Sequence, residues 1–474
     1  MKKAACTSIL IGRKASLTGA TLIARNDDTF SPIAPQRFYM HPAVENEPGR
    51  VLKSYLNEFE ATLPENAYRY NAVPNVNYKV EGYYEESGIN EKNVAMSCTE
   101  STYGNERTLA FDPLNTQSGL DEDCMQTMVL PYVASAQEAV TYLGQLIEKY
   151  GSAAGNSVLF SDVSEVWYME IVTGHHWLAQ RIPEDCYAVA ANQVAIQWVD
   201  FADTANFKFS TGIEAFVEKH HLNPDLAGFN FRHIFGTDTQ KDRHYNTPRV
   251  WYAHHLFDPE FPEMPESSEL PFIVKPKRKL GLEDIEQLLG SHYNETRFDP
   301  LGNGDLADKL RYRPIGLNRT QNSHILELRQ NQAVDTTGII WLNLGMPAFS
   351  PYVPFYTNAN DTAPSYRQTP MQWDMNSAYW LFRTLSMLVE AHHQQFIQED
   401  LDYLKAVRQQ CRTRLFEVDQ QAADFEGAAL TTFLTEQNYE TVKIVSAMTQ
   451  ELIGRFITQG LELSQLTFNM DKNL

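Results

Sequence analysis

The segment that most restricts the fold is "CTSILIGRKASLTGATLIARNDD", residues 6–28. Two apolar, β-branched runs, "CTSILIG" and "ATLIAR", flank a polar stretch that ends in glycine, a pattern that predicts a β-hairpin. "NDDTFSP" then gathers turn-forming residues and is expected to stop the second strand. A hairpin returns the end of its second strand to the start of its first. Arg25 and Asp28, spaced R-x-x-D, are therefore expected beside Cys6.

Further along, "SAQEAVTYLGQLIEKYG" (residues 135–151) places Ala139, Tyr142, Leu143, Leu146 and Ile147 at helical spacing. Ser135 and Glu138 form a candidate capping box, and Gly151 a stop. "NVAMSC" reads as a strand leaving a tight turn; "SVLFSD", "EVWYMEIV", "HWLAQRI" and "CYAVAANQVAIQ" read as four successive short strands. Strand clusters around helices predict a layered αβ domain. Residues 261–335, rich in Pro, Gly and charge, are expected to form long loops with a short helix at "LEDIEQLLGSH", before another strand at "GIIWLNLG". The last hundred residues turn amphipathic, with Leu401, Leu404, Val407, Cys411 and Leu415 tracing one helical face. The expected division is 1–5 as a leader, 6–375 as the main domain and 376–474 as a helical region.

Charge and cysteine usage narrow the function. A net charge of −21 lacks the basic footprint that nucleic-acid binding needs, and it disfavours anionic membrane surfaces. Five widely spaced cysteines with no CxxC pair argue against a disulfide framework or a structural zinc site, and fit a reducing cytoplasm. "MKKAAC" lacks the apolar segment of a signal peptide, and no apolar run reaches membrane-spanning length. The histidine doublets at 175–176, 220–221, 254–255 and 392–393 diverge in a strand or helix, and no HExxH motif supports a zinc enzyme.

Cys6 is the chemical question. A cysteine beside an apolar strand is ordinarily a small core residue. If Met1–Ala5 were removed, Cys6 would carry both a thiol and an α-amine. That amine, with a pKa of about 7.7–8.0, is a competent base at neutral pH, and it replaces the histidine of a Cys–His pair. Lys2 is too bulky for ordinary methionine trimming to expose Cys6, whereas Ala4 and Ala5 leave room for the thiol to attack the preceding carbonyl. Asp28 is then placed to hold the amine, and Arg25 to lower the thiol pKa.

This stretch resembles the start of N-terminal nucleophile hydrolases, specifically the bacterial dipeptidase A family, with more distant similarity to penicillin V acylases, bile-salt hydrolases and secernins. "EESGINEKNVAMSCTES", "WYMEIVTGHHWLAQRIPEDCYAVAANQVAI", "YNTPRVWYAHH" and "WLNLGMPAFSPYVPFY" resemble dipeptidase A sequence in the same order. The resemblance implies an α+β fold, a four-layer αββα sandwich with an added α-helical C-terminal region. It implies Cys6 as nucleophile, Arg25 and Asp28 as its supports, and Asn192 as an oxyanion donor. Arg249 is implied as a clamp for a substrate carboxylate. Glu100 stands where the acylases carry an asparagine, and is assigned to a dipeptide's α-amine. The implied activity is hydrolysis of dipeptides with no metal or organic cofactor; the cysteine usage points to the cytoplasm, and the amphipathic tail to a homo-oligomer. The alternatives are an amidase of the penicillin V or bile-salt type and a non-catalytic secernin-like protein.

Overall fold

A computed structural model describes residues 6–464 and 466 of the chain; Met1–Ala5, the expected propeptide, lies outside the described residues. The opening hairpin forms β1 (Thr7–Ile11) and β2 (Thr21–Asp28), paired antiparallel with Ser8 opposite Arg25. It sits at the middle of a sheet, not at an edge.

The remaining strands of the two main sheets are β3 (Ser87–Ile89), β4 (Ala95–Glu100), β5 (Asn156–Ser161), β6 (Val166–Ile171) and β7 (Trp177–Ile182). They continue with β8 (Tyr187–Ala190), β9 (Phe207–Phe209), β10 (Ile273–Val274), β11 (Thr320–Leu328), β12 (Gly338–Asn343) and β13 (Val353–Tyr356). The seven-stranded sheet runs β10-β8-β1-β2-β11-β12-β13, and the six-stranded sheet β9-β7-β6-β5-β4-β3. Every pairing within both is antiparallel. The sheets pack face to face, β1 and β2 against β4, β5 and β6. Their strands are buried on both faces, because helices cover the outer sides.

On the six-stranded side lie α1 (Glu122–Val129) and α2 (Ala136–Tyr150). Ser135 caps α2 by accepting from the Glu138 N–H at 3.1 Å, and Gly151 ends it at φ 75°. The Glu138 carboxylate reaches past Ser135 to the Ala134 N–H at 2.7 Å. On the other side, α3 (Thr247–Phe257) packs on β8 and α4 (Leu282–Leu289) on β2. The result is the αββα sandwich. The chain closes with α5 (Ala378–Ala391), α6 (His393–Ala422) and α7 (Gly427–Glu462), and α7 packs on edge strand β13.

Three sequence expectations need correction. First, β2 does not stop at Arg25 but continues through Asn26, Asp27 and Asp28, because each polar side chain finds buried partners. Second, the loop-rich stretch 261–335 contains β11, a nine-residue strand buried along its whole length that pairs β2 with β12. Its first half, "TQNSH", shows no apolar alternation, yet it enters the middle of the sheet. Third, the buried face of α6 runs through Phe396, Asp400, Tyr403, Val407 and Cys411, which leaves Leu401 exposed.

Candidate active site

Side chains two apart on a strand share a face. Cys6, Arg25 and Asp27 accordingly point between the sheets, together with His324 and Asn322, which stand directly across from Arg25 and Asp27 on β11. Arg25 Nη1 donates to Cys6 Sγ at 3.0 Å, its Nε to Ser97 Oγ at 2.9 Å, and its Nη2 to Glu86 at 2.5 Å. Cys6 and Arg25 are both buried. Burial pushes the Cys6 thiol up to about 12, against the opposing pull of the Arg25 charge. A group so placed stays protonated at neutral pH and needs a base to become a nucleophile.

Arg25 is the cation of an otherwise acidic shell. Burial and the Asp27 charge raise the Glu86 carboxyl, and burial raises Asp27 and Glu122 despite Arg25.

R-x-x-D spacing puts Arg25 and Asp28 on opposite faces of β2. Asp28 is held by Arg313 and by the Thr320 hydroxyl, and its charge reaches Cys6 only through space. The expected pair therefore flanks the cysteine from two sides, with one member in contact.

Asn192 follows β8 on a loop pinned by the Glu170 carboxylate, which accepts from the Ala195 and Ile196 N–H groups at 2.6 and 3.2 Å. Arg249, on α3, spends every N–H on protein acceptors. Its Nη1 donates to the Cys6 carbonyl at 2.6 Å and Thr7 Oγ1 at 2.9 Å, its Nη2 to Asn192 Oδ1 at 2.8 Å and Asn246 Oδ1 at 2.7 Å, and its Nε to the Tyr245 carbonyl at 2.8 Å. These five bonds join Cys6 to Asn192, and the clamp role expected for Arg249 requires at least one of them to give way. The Asn192 Nδ2 has no hydrogen-bond partner among the described residues.

Two recesses share Phe30. One, of about 410 Å³, is lined by Asp27, Glu86, Glu100 and Asp121 with Phe30 and Tyr84. The other, of about 240 Å³, is lined by Asn192, Tyr103, Lys241 and Tyr245. Glu100 ends β4, and its backbone N–H is held by Glu122 at 2.8 Å. The histidine doublets do not converge: His175 pairs with Asp112, His176 with Ser210 and His254 with Tyr187. Sequence reasoning missed Asp27, Glu86, Ser97, Arg313 and His324; the alternation of Asn322 and His324 was the signal available.

Comparison with known proteins now decides the family. The model of peptidase family C69 matches residues 5–406. The chain belongs to peptidase family C69. As a C69 member it is 52% identical to "Probable dipeptidase" of Latilactobacillus sakei, over 99% of this chain and 98% of that one. It is 36% identical to "Dipeptidase A" of Lactobacillus helveticus, over 99% and 100%. A solved structure of a mutant conjugated bile acid hydrolase from Clostridium perfringens aligns with a TM-score of 0.32 at 13% identity, over 72% of this chain and 89% of that one. The C69 match begins one residue ahead of Cys6.

Proposed function

We propose that this protein is a dipeptidase of the N-terminal nucleophile type, hydrolysing a broad range of dipeptides through Cys6 after cleavage of the Ala5–Cys6 bond. The observation that carries this reading is the buried thiol of Cys6 held at 3.0 Å by the Arg25 guanidinium at the head of β1. Full-length relatives named as dipeptidases support the substrate class.

In this reading the freed α-amine of Cys6 takes the thiol proton, and the sulfur attacks the scissile carbonyl. Asn192 Nδ2 and a backbone N–H stabilise the oxyanion, and Arg249 aims that amide by occupying its oxygen. The ammonium, held by Asp28, protonates the leaving amine. Water, deprotonated by the same amine, then hydrolyses the thioester. Glu100 and the other acids of the larger recess receive the substrate ammonium. The Lys241 ammonium, set over the Tyr103 and Tyr245 rings, makes no ion pair or hydrogen bond among the described residues and is the cation assigned to the substrate carboxylate. Five free thiols suit a reducing compartment, and exposed Phe416, Ile457 and Leu461 on the long helices support self-association.

Intact mass of the purified protein, with hydrolysis of a dipeptide panel by wild type and Cys6→Ala, tests the reading. The expected result is a mature chain beginning at Cys6 and no hydrolysis by the variant. An active wild-type chain that retains Met1–Ala5 sinks it.

A further inference from the structure

The buried face that carries the thiol holds a closed ring of polar side chains. Arg25 Nε donates to Ser97 Oγ at 2.9 Å, and that oxygen lies 2.9 Å from His324 Nε2. His324 Nδ1 lies 2.8 Å from Asn322 Oδ1, and Asn322 Nδ2 donates to Asp27 at 3.2 Å and to Gln36 at 2.6 Å. Arg25 closes the ring, with its Nη1 3.9 Å from Asp27 Oδ1 and its Nη2 donating to Glu86 at 2.5 Å. All of these side chains are buried.

The bonds are oriented from both ends: the Arg25 guanidinium only donates, and Asn322 turns its N–H groups to Asp27 and Gln36, leaving its Oδ1 toward the histidine. Ser97 Oγ therefore accepts from Arg25, and His324 Nδ1 must carry the proton it donates to Asn322 Oδ1. In the neutral ring Nε2 is then bare and accepts the single Ser97 proton. Burial and the Arg25 charge hold His324 well below the usual imidazole range, in keeping with this tautomer.

We propose that His324 is a positioning residue for the nucleophile: as a neutral acceptor it fixes Ser97, and Ser97 fixes the plane of the Arg25 guanidinium on Cys6 Sγ. The chemistry given above uses His324 nowhere, since the base is the α-amine. The role rests on Cys6 being the nucleophile.

The test compares His324→Leu, which removes the acceptor, with His324→Gln, which can offer Ser97 an amide oxygen. Two quantities are read on the mature protein: the pH dependence of iodoacetamide alkylation at Cys6, by mass of its N-terminal peptide, and kcat and KM on alanyl-alanine. In His324→Leu the alkylation midpoint is expected to rise by about one unit. Its kcat is expected to fall about tenfold or more while KM stays within about twofold. His324→Gln recovers most of both. An unchanged midpoint in His324→Leu, or a Gln variant as impaired as the Leu variant, overturns the proposal. Should His324→Leu fail to fold, Ser97→Ala cuts the same link from the other side and must shift the midpoint likewise; no shift there also overturns it. Wild-type hydrolysis by Cys6→Ala would instead refute the parent reading, and the alkylation profile would still judge His324.

Discussion

Arg249 Nη2 donates to Asn192 Oδ1 at 2.8 Å, and the Nδ2 of the same amide is left without a partner among the described residues although Asn192 is only 1% exposed. An unpaired buried donor costs stability unless something else uses it. Asn192→Asp keeps the acceptor that Arg249 needs and deletes the donor. Its kcat on a dipeptide is expected to fall by about 10²–10³ with KM little changed. A variant within about twofold of wild-type kcat removes Asn192 from the oxyanion site.

In chains that still carry Met1–Ala5, the Cys6 nitrogen is an amide and no terminal base exists. The thiol, raised to about 12 by burial, stays neutral through physiological pH, and its thiolate fraction grows only as pH climbs toward that value. Folded leader-bearing protein is therefore expected to resist iodoacetamide at pH 7 and to react progressively faster toward pH 10, with intact mass as the readout. Rapid, complete alkylation of Cys6 at pH 7 in the folded precursor contradicts this.

Asp400 on α6 is 0% exposed, and both its carboxylate oxygens lack partners among the described residues. Burial raises its carboxyl to about 8. The folded state thus holds one proton more than the unfolded chain between about pH 4 and that value, so stability falls as pH rises through the window and levels off above it. Asp400→Asn is expected to flatten that slope and to stabilise the protein at pH 8 by on the order of a few kcal/mol. Urea midpoints at pH 5 and pH 8.5 check it; parallel slopes for variant and wild type refute it.

Gly144 lies inside α2, where alanine ordinarily gains about 1 kcal/mol. A Cβ there would stand 2.1 Å from the Trp177 ring on β7. Gly144→Ala is therefore expected to destabilise by about 1–3 kcal/mol despite its better helix propensity, as read by chemical denaturation. A stabilised variant would mean that the α2–β7 contact yields easily.

The hairpin, the α2 helix with its Ser135 cap and the helical tail were legible because period, caps and turns are local signals. Cys6 and Arg25 were legible for the same reason: hairpin geometry alone brings them together. β11 was not. Gln321, Asn322, Ser323 and His324 look like loop residues, and only partners from distant segments (Asn26, Asp27, Gln36, Ser97) make them strand residues. Arg249 was found, but its five bonds to protein acceptors were not, since no local pattern tells whether an arginine's donors are already engaged. Asp400 occupies a buried helical position that an apolar periodicity would never nominate.

β1 lies between β2 and β8, two strands in from the nearer edge of its sheet. Backbone amides in such a strand exchange with solvent only when much of the domain opens. The nucleophile is thus mounted on the part of the molecule that loosens last. Heating should leave turnover intact until the sheet itself melts, so that thermal inactivation and global unfolding fall on one curve.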